Sequence, residues 1–418
     1  MSVPPVRFLH TSDLHLELPL FGVAEVPDHL VDLFLDAPLR AAEKVFDIAV
    51  QEGVDFVILA GDIVNPALAG PRAVVFLREQ FERLAQRQIG VYWAGGRVES
   101  TDLWFALRPP ANLYTFSRGS VEEVVHRREG AAVVEIVGLS RGRSGQIRAS
   151  DFRRQTRSAD SLSAIRVAVA HGSVDPRLLS KQHIDYWAFG GPHESAPLNL
   201  EKGRGRYSGS PQGRQPAESG PHGCWLVEID ADRTIREELI ETDAVRWHTM
   251  AVTAADSMSV ENLLNELEEQ LLRLADECEI PALVTIQIAG RGPAVDALGK
   301  PDAVQKTLRS LREEWGTGTI PVWTVDLEVT PSTKFPASWY DEDTILGEYL
   351  RQVRELASDP SCANPLEELN SAEQNESLAA LVNLADEQSR QEILRRTALL
   401  GSQLLSSGPV QEEGVTVR

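Results

Sequence analysis

The sequence predicts a layered α/β domain, then a smaller α/β domain, then C-terminal helices. Three observations predict this. Up to about residue 240, short apolar runs bounded by Gly, Asp, Asn or Ser recur along the chain, as buried strands do. Stretches of helical periodicity separate the first three of these runs. Near Thr249 the alternation restarts on a smaller scale and ends in two amphipathic segments.

In chain order the strand-like runs are VRFLH (6–10), VDFVILA (54–60), IGVYWA (89–94), AAVVEIVGL (131–139), IRVAVAH (165–171), DYWAF (185–189) and CWLVEID (224–230). Helices are expected at 38–52 and 72–87. The second unit reads as helix (259–275), strand (283–290), helix (302–314) and strand (324–330). Leu346, Leu350, Val353 and Leu356 share a helical face within 341–357, and Leu378, Leu381 and Leu384 do so within 374–405. The expected division is 1–243, 244–335 for a small capping domain, 336–405 for C-terminal helices, and 406–418 as a flexible tail.

The 418 residues are 42% hydrophobic and 25% charged, an ordinary globular profile. No apolar run approaches the roughly 20 residues of a membrane span. The three cysteines (Cys224, Cys278, Cys362) are far apart and form no metal-type pair, so a reduced, cytoplasmic setting is expected. The net charge of -21 is unevenly spread: residues 1–240 carry 27 Lys+Arg against 31 Asp+Glu, and the remainder 14 against 31. The acidity that would repel nucleic acid therefore sits mostly in the C-terminal part.

The chemistry-bearing residues fall just past the strand-like runs. SDLH (12–15) follows the first. In extended chain, residues two apart point to one side, so Asp13 and His15 can converge on a cation. A carboxylate with an imidazole suits Mn, Fe or Zn. GDIVN (61–65) places Asp62 after the second run, AHGS ends a run on His171, and FGGPHE places His193 after another. Strand ends are where α/β folds bind ligands. Five such residues in one domain point to a metal centre; the plain structural alternative is that they cap loops and start helices.

This order resembles the calcineurin-like metallophosphoesterase superfamily, which runs Asp-x-His, Gly-Asp, Gly-Asn-His, His and Gly-His-x-His. Within it, HTSDLHLE (10–17), YSGSPQGRQPAESGPHGCWLVEID (207–230) and WHTMAVTA (247–254) are similar to the bacterial SbcD/YhaO-type DNA-repair exonucleases. The resemblance spans residues 6–355. It implies a four-layer αββα sandwich with a small α/β cap, and metal-assisted phosphodiester hydrolysis using two cations about 3.5–4 Å apart.

Carried over position by position, the resemblance implies a first metal on Asp13, His15 and His193, with Asp62 bridging to the second. The second metal keeps His171 but loses two ligands. Gly96 stands at the asparagine and Gly191 at a histidine, while Arg97 stands at the catalytic histidine. One divalent cation, manganese, is therefore expected rather than two, and hydrolysis is expected to be impaired or lost. The combination Gly96→Asn, Arg97→His and Gly191→His is the expected rescue. Arg97 is either a surface loop residue or a fixed cation that holds phosphate, and it cannot act as a general acid near neutral pH. Glu99 and Glu194 are nearby oxygen donors that match no family ligand.

Arg141, Arg143, Arg153 and Arg154 lie in a basic run (141–157) able to follow a phosphate backbone, or to form a solvated face. Gln212 and Arg214, in SGSPQG and just after it, are candidate phosphate contacts, with Lys202, Arg204 and Arg206 nearby. Neither run reads bases, so any DNA recognition is expected to be sequence-independent. The resemblance also implies that the C-terminal helices dock on an SMC-like coiled-coil ATPase; their apolar stripes equally suit packing on their own domain. A homodimer is compatible with the sequence, and no membrane association is expected. Three functions remain open: a DNA-end-engaging subunit with weak or absent hydrolysis, a one-metal phosphoesterase on another substrate, or a non-catalytic scaffold.

Overall fold

The computed structural model describes residues 4–99, 108, 110–140, 147, 152, 165–179, 182–332, 335–358 and 387–406. The first compact unit holds two six-stranded mixed sheets. Strands β1 (Val6–Thr11), β2 (Phe56–Leu59), β3 (Gly90–Trp93) and β4 (Leu113–Thr115) run parallel to one another. Antiparallel β11 (Gly223–Ile229) pairs with β1, and β12 (Ile235–Glu241) closes that edge. The second sheet has β5 (Glu122–Arg128) and β6 (Ala131–Leu139), then β7 (Ile165–His171), β8 (Tyr186–Gly190), β10 (Arg204–Tyr207) and β9 (Ala196–Pro197).

Side-chain alternation builds the layers. Phe8, Phe56, Ile58 and Tyr92 point from the first sheet toward Ile136, Val167, Val169 and Tyr186 of the second, forming a shared core. The alternate residues Leu9, Val57, Leu59, Val91 and Trp93 pack on helices α1 (Val31–Gln51) and α2 (Gly70–Gln86) through Val45, Phe46, Leu77 and Phe81. Val137, Ala168, Ala170, Trp187 and Phe189 cover the far face of the second sheet with Phe152, Leu179 and Ile184. These layers form the α/β sandwich that the sequence predicts.

Helix α1 begins at Val31, well before the expected residue 38, and runs through Pro38. Proline lacks an N–H and leaves the carbonyl four residues back without its helical partner. That carbonyl, Phe34 O, accepts Leu20 N at 3.0 Å instead. A loop amide thus replaces the missing helix bond and lets the helix continue.

The chain after 244 forms a three-stranded sheet, β13 (Arg246–Ala254), β14 (Ala282–Gly290) and β15 (Val322–Pro331), with helices α3 (Val260–Glu277) and α4 (Pro301–Trp315). Contacts divide the chain into Met1–Met250, Gln270–Ile286 and Leu308–Asp326 as one compact unit, and Ala251–Glu269, Gln287–Thr307 and Leu327–Arg418 as the other. Helices α5 (Ile345–Ser358) and α6 (Glu387–Ser406) pair, and Tyr349 donates its hydroxyl to Thr397 O at 2.5 Å. No described helix is long and apolar enough to cross a membrane.

Candidate metal centre

The loops after β1 and β2 are zipped together by backbone bonds: Asp13 N to Gly61 O, His15 N to Asp62 O and Leu16 N to Ile63 O, at 2.9–3.1 Å. To keep this register, Asp13, His15 and Asp62 adopt left-handed backbone angles (φ 53°, 42° and 52°). Such angles cost non-glycine residues about 1–3 kcal/mol each and cluster at functional sites. Three of the five residues singled out from the sequence are thus among the eight described non-glycine residues with such angles.

Two ligand groups result, and they share Asp13. Asp13, His15 and His193 bring one donor atom each within 4.8 Å of one another, and Asp13, Asp62 and His171 do the same. The sequence assigned Asp13 to the first group alone. Asp13 Oδ1 lies 3.2 Å from His171 Nε2, while its Oδ2 accepts from Ser12 Oγ and from Gly191 N at 2.8 Å. Asp62 Oδ2 faces His171 Nε2 at 3.4 Å and His15 Nε2 at 3.8 Å.

The groups differ in how their histidines are held. Glu17 Oε1 takes His15 Nδ1 at 3.3 Å, and Glu218 Oε1 takes His193 Nδ1 at 2.9 Å. A carboxylate on Nδ1 fixes the neutral tautomer with its Nε2 lone pair free, the usual support for a metal-ligating histidine. His15 Nε2 is buried and has no hydrogen-bond partner, which leaves its lone pair available to a cation. His171 has the reverse arrangement: Nε2 faces two carboxylates and Nδ1 has no partner. Burial opposes its charge, but Asp13, Asp62 and Glu99 outweigh that and raise His171 above the usual histidine range. Burial likewise pulls Asp62 upward, yet His171, His15 and the Val98 and Arg97 amides hold it below the usual carboxylate range. Glu218 is held at about 2, against its burial, by His193 and the Arg214 amide. The donor set fits a divalent cation at Asp13, His15 and His193.

The turn after β3 is wrapped around Asp62. Asp62 Oδ1 accepts the Arg97 and Val98 amides at 2.5 and 3.1 Å, and Arg97 Nε reaches Oδ2 at 3.3 Å. Gly96 is pressed so close that a Cβ there would sit 2.3 Å from Asp62 Oδ1. The expected rescue through Gly96→Asn therefore meets no vacant space. Gly191 has room toward His171 Cε1 at 3.8 Å, but its φ of 134° strains any other residue.

Glu99 is a structural anchor rather than a spare ligand. It is 3% exposed, and its oxygens accept Ile63 N at 2.6 Å and Gly96 N at 2.7 Å. Burial pushes its carboxyl from 4.5 up to about 7, with the Asp62 charge adding to the shift. The protonated form therefore favours folding: this contribution is full below pH 4.5 and lost as pH rises through 7. For metal-free protein we expect unfolding free energy to fall by about 3 kcal/mol from this residue between about pH 4.5 and about pH 8. Denaturation across that range should show the slope in the wild type and a flatter profile in Glu99→Ala.

The remaining candidates separate. Gln212 is not a phosphate contact: its amide donates to Gly213 O and Val245 O and accepts Ala244 N, which uses it internally. Arg206 stacks 3.0 Å over Trp225 and pairs with Glu237, which also faces Arg204. Lys202 and Glu194 are exposed. Arg141, Arg143, Arg153 and Arg154 lie outside the described residues. Arg214 does reach the centre, with Nη2 3.3 Å from His193 Nε2. Glu17 and Glu218 escaped the sequence reading; the nearest signal was a glutamate two residues past His15 in HTSDLHLE.

Residues 6–194 match the calcineurin-like phosphoesterase family. The chain is also 27% identical over 336 residues to the uncharacterized metallophosphoesterase YhaO of Bacillus subtilis, covering 77% of this chain and 81% of that one. The five strand-end candidates Asp13, His15, Asp62, His171 and His193 fall within the matched segment, whereas Arg214 and Glu218 lie beyond it.

Proposed function

We propose that this metallophosphoesterase-type centre holds one divalent cation, manganese, on Asp13, His15 and His193, and engages the phosphodiester of DNA ends with hydrolysis severely weakened. The observation that carries this reading is the turn Gly95–Glu99. In place of a second-metal ligand and an acid, it offers Gly96 pressed on Asp62 and a guanidinium on Asp62 Oδ2. Arg97 repels a second cation there by like charge. The carboxylates on His15 and His193, and the absence of one on His171 Nδ1, favour the first group over the second.

A cation bound there supplies Lewis acidity toward a phosphoryl group. The chain's own residues do the rest. Glu17 and Glu218 hold the imidazoles in register, and Arg97, 58% exposed on its side chain, offers a positive charge beside Asp62 to an incoming phosphate. Arg97 cannot give a proton to the leaving group near neutral pH, so the step that the family's histidine assists goes unassisted. The DNA assignment rests on the resemblance of residues 10–17 and 207–230. An SMC-like ATPase partner belongs to the same reading; Leu400 and Leu404 of α6 are exposed apolar surface that such a partner would cover.

The test combines manganese titration, binding to a blunt duplex, and hydrolysis of a simple phosphodiester. We expect one manganese per chain, sequence-independent DNA binding that weakens with salt, and slow or absent turnover. His15→Ala should abolish manganese binding, and His171→Ala should spare it. Two metals with fast turnover contradict the proposal. One metal with turnover on a non-DNA ester favours the one-metal phosphoesterase, and neither metal nor DNA binding leaves a scaffold.

A further inference from the structure

The strands that carry the metal centre past their C-terminal ends border a second cavity at their N-terminal ends. Its volume is about 670 Å³, and its walls come from the start of β1, the turns before β2 and β3, the β5–β6 hairpin and the end of β11. Val6, in its wall, precedes Asp13 by seven positions, roughly 20 Å along a strand. The cavity is therefore separate from the ligands described above. The one buried titratable group in its wall is His126 of β5, at 8% exposure. His126 Nδ1 lies 2.9 Å from the Tyr92 hydroxyl. Burial pushes Tyr92 above the usual phenol range, so it keeps its proton. Burial also holds His126 below the usual histidine range; Asp55 opposes this and Arg128 adds to it. Tyr92 has no other acceptor among the described residues, so it donates to Nδ1 and leaves the ring N–H on Nε2. That N–H has no hydrogen-bond partner among the described residues, and a buried donor without an acceptor is costly unless a ligand supplies one.

The charged side chains of the lining divide into paired and unpaired. Arg7 is held by Glu52 and Glu228, Arg128 by Asp55, and Asp230 by Arg236. Arg87 and Arg127, both exposed at the mouth, have no carboxylate partner among the described residues, and Glu129 is the only lining carboxylate without a cation there. The mouth thus carries an excess of positive charge, and guanidinium forks suit phosphate oxygens. Deeper in, Pro5, Val6 and Val54 offer apolar wall beside the His126 N–H. A ligand that satisfies both parts is anionic at one end and a flat, uncharged ring with a hydrogen-bond acceptor at the other. The volume lies within the roughly 300–1,000 Å³ of small-molecule sites and far exceeds one inorganic anion. We propose that this cavity binds a mononucleotide, its base edge accepting from His126 Nε2 and its phosphate held between Arg87 and Arg127. The site is independent of the one-cation reading above.

Calorimetry on the full chain without metal tests this, with adenosine monophosphate as the probe and adenosine and inorganic phosphate as its two parts. We expect one adenosine monophosphate per chain, bound about tenfold or more tighter than either part. The double variant Arg87→Ala, Arg127→Ala changes exposed side chains only, so it should fold as wild type; it should bind adenosine monophosphate about tenfold more weakly and adenosine unchanged. His126→Phe should weaken adenosine and adenosine monophosphate alike, by about fivefold or more, because the donor to the base is gone. His15→Ala should leave the affinity unaltered. No binding by the wild type, unchanged affinity in the double arginine variant, or inorganic phosphate bound as tightly as the nucleotide overturns the inference. Loss of binding in His15→Ala also overturns it, since the nucleotide would then sit at the metal centre. The number of manganese ions bound, which tests the metal reading, is unaffected by any of these results.

Discussion

Gly96→Asn will not return a second metal to this centre; it will destabilise the fold. A Cβ at residue 96 would stand 2.3 Å from Asp62 Oδ1, 2.5 Å from Asp62 N and 3.0 Å from Asp62 Cγ. These atoms cannot swing away freely, because Asp62 Oδ1 is held by the Arg97 and Val98 amides and the backbone is zipped to the first loop through His15 N. The turn itself must move, which detaches Glu99 from Gly96 N. Overpacking of a closed core typically costs about 1–3 kcal/mol, and losing the buried bonds adds to it, so we expect about 3 kcal/mol or more. The combination Gly96→Asn, Arg97→His and Gly191→His restores the family's residue types without their geometry. Denaturation together with manganese titration checks this. A triple variant as stable as wild type that binds two metals would refute the account of the turn.

The second large effect is Asp62→Ala. The carboxylate is fully buried, accepts two backbone amides, and faces His171, His15 and Arg97. Its removal orphans the Arg97 and Val98 N–H groups and leaves His171 with Asp13 as its single carboxylate partner. Breaking a buried ion pair from one side costs about 3–5 kcal/mol. Asp62→Asn keeps an acceptor for the amides and should recover part of that loss. Chemical denaturation at neutral pH without metal measures both variants; a loss below about 1 kcal/mol for the alanine would show that the turn is not organised by Asp62.

Up to Ile229 the strands legible in the sequence are those largely buried on both faces, where apolar residues run without interruption, while β15 was legible from its alternation. The strands that escaped it are mostly sheet edges: β4 and β12 bound one sheet, and β5 and β9 the other. Edge strands carry charge outward, as EEVVHRR and IREELIE do, and so read as polar loops. Pro38 hid the start of α1 because the loop amide that completes its missing bond is a tertiary partner. In the site, Asp13, His15, Asp62, His171 and His193 were legible because strand ends mark them. Glu17 and Glu218 were not, since a glutamate becomes an orienting group only when the fold brings it to a particular imidazole nitrogen. Gln212 was misread for the same reason. Its polarity is visible in the sequence, but the three backbone groups that use it are not.

The central claim is that one cation sits on the Asp13, His15 and His193 side of the centre. Anomalous scattering from crystals of the full chain grown with manganese tests it most directly. The account predicts a single manganese peak bounded by Asp13, His15 and His193, with Arg97 still on Asp62. Two peaks flanking Asp62, or one peak between Asp62 and His171, would contradict it.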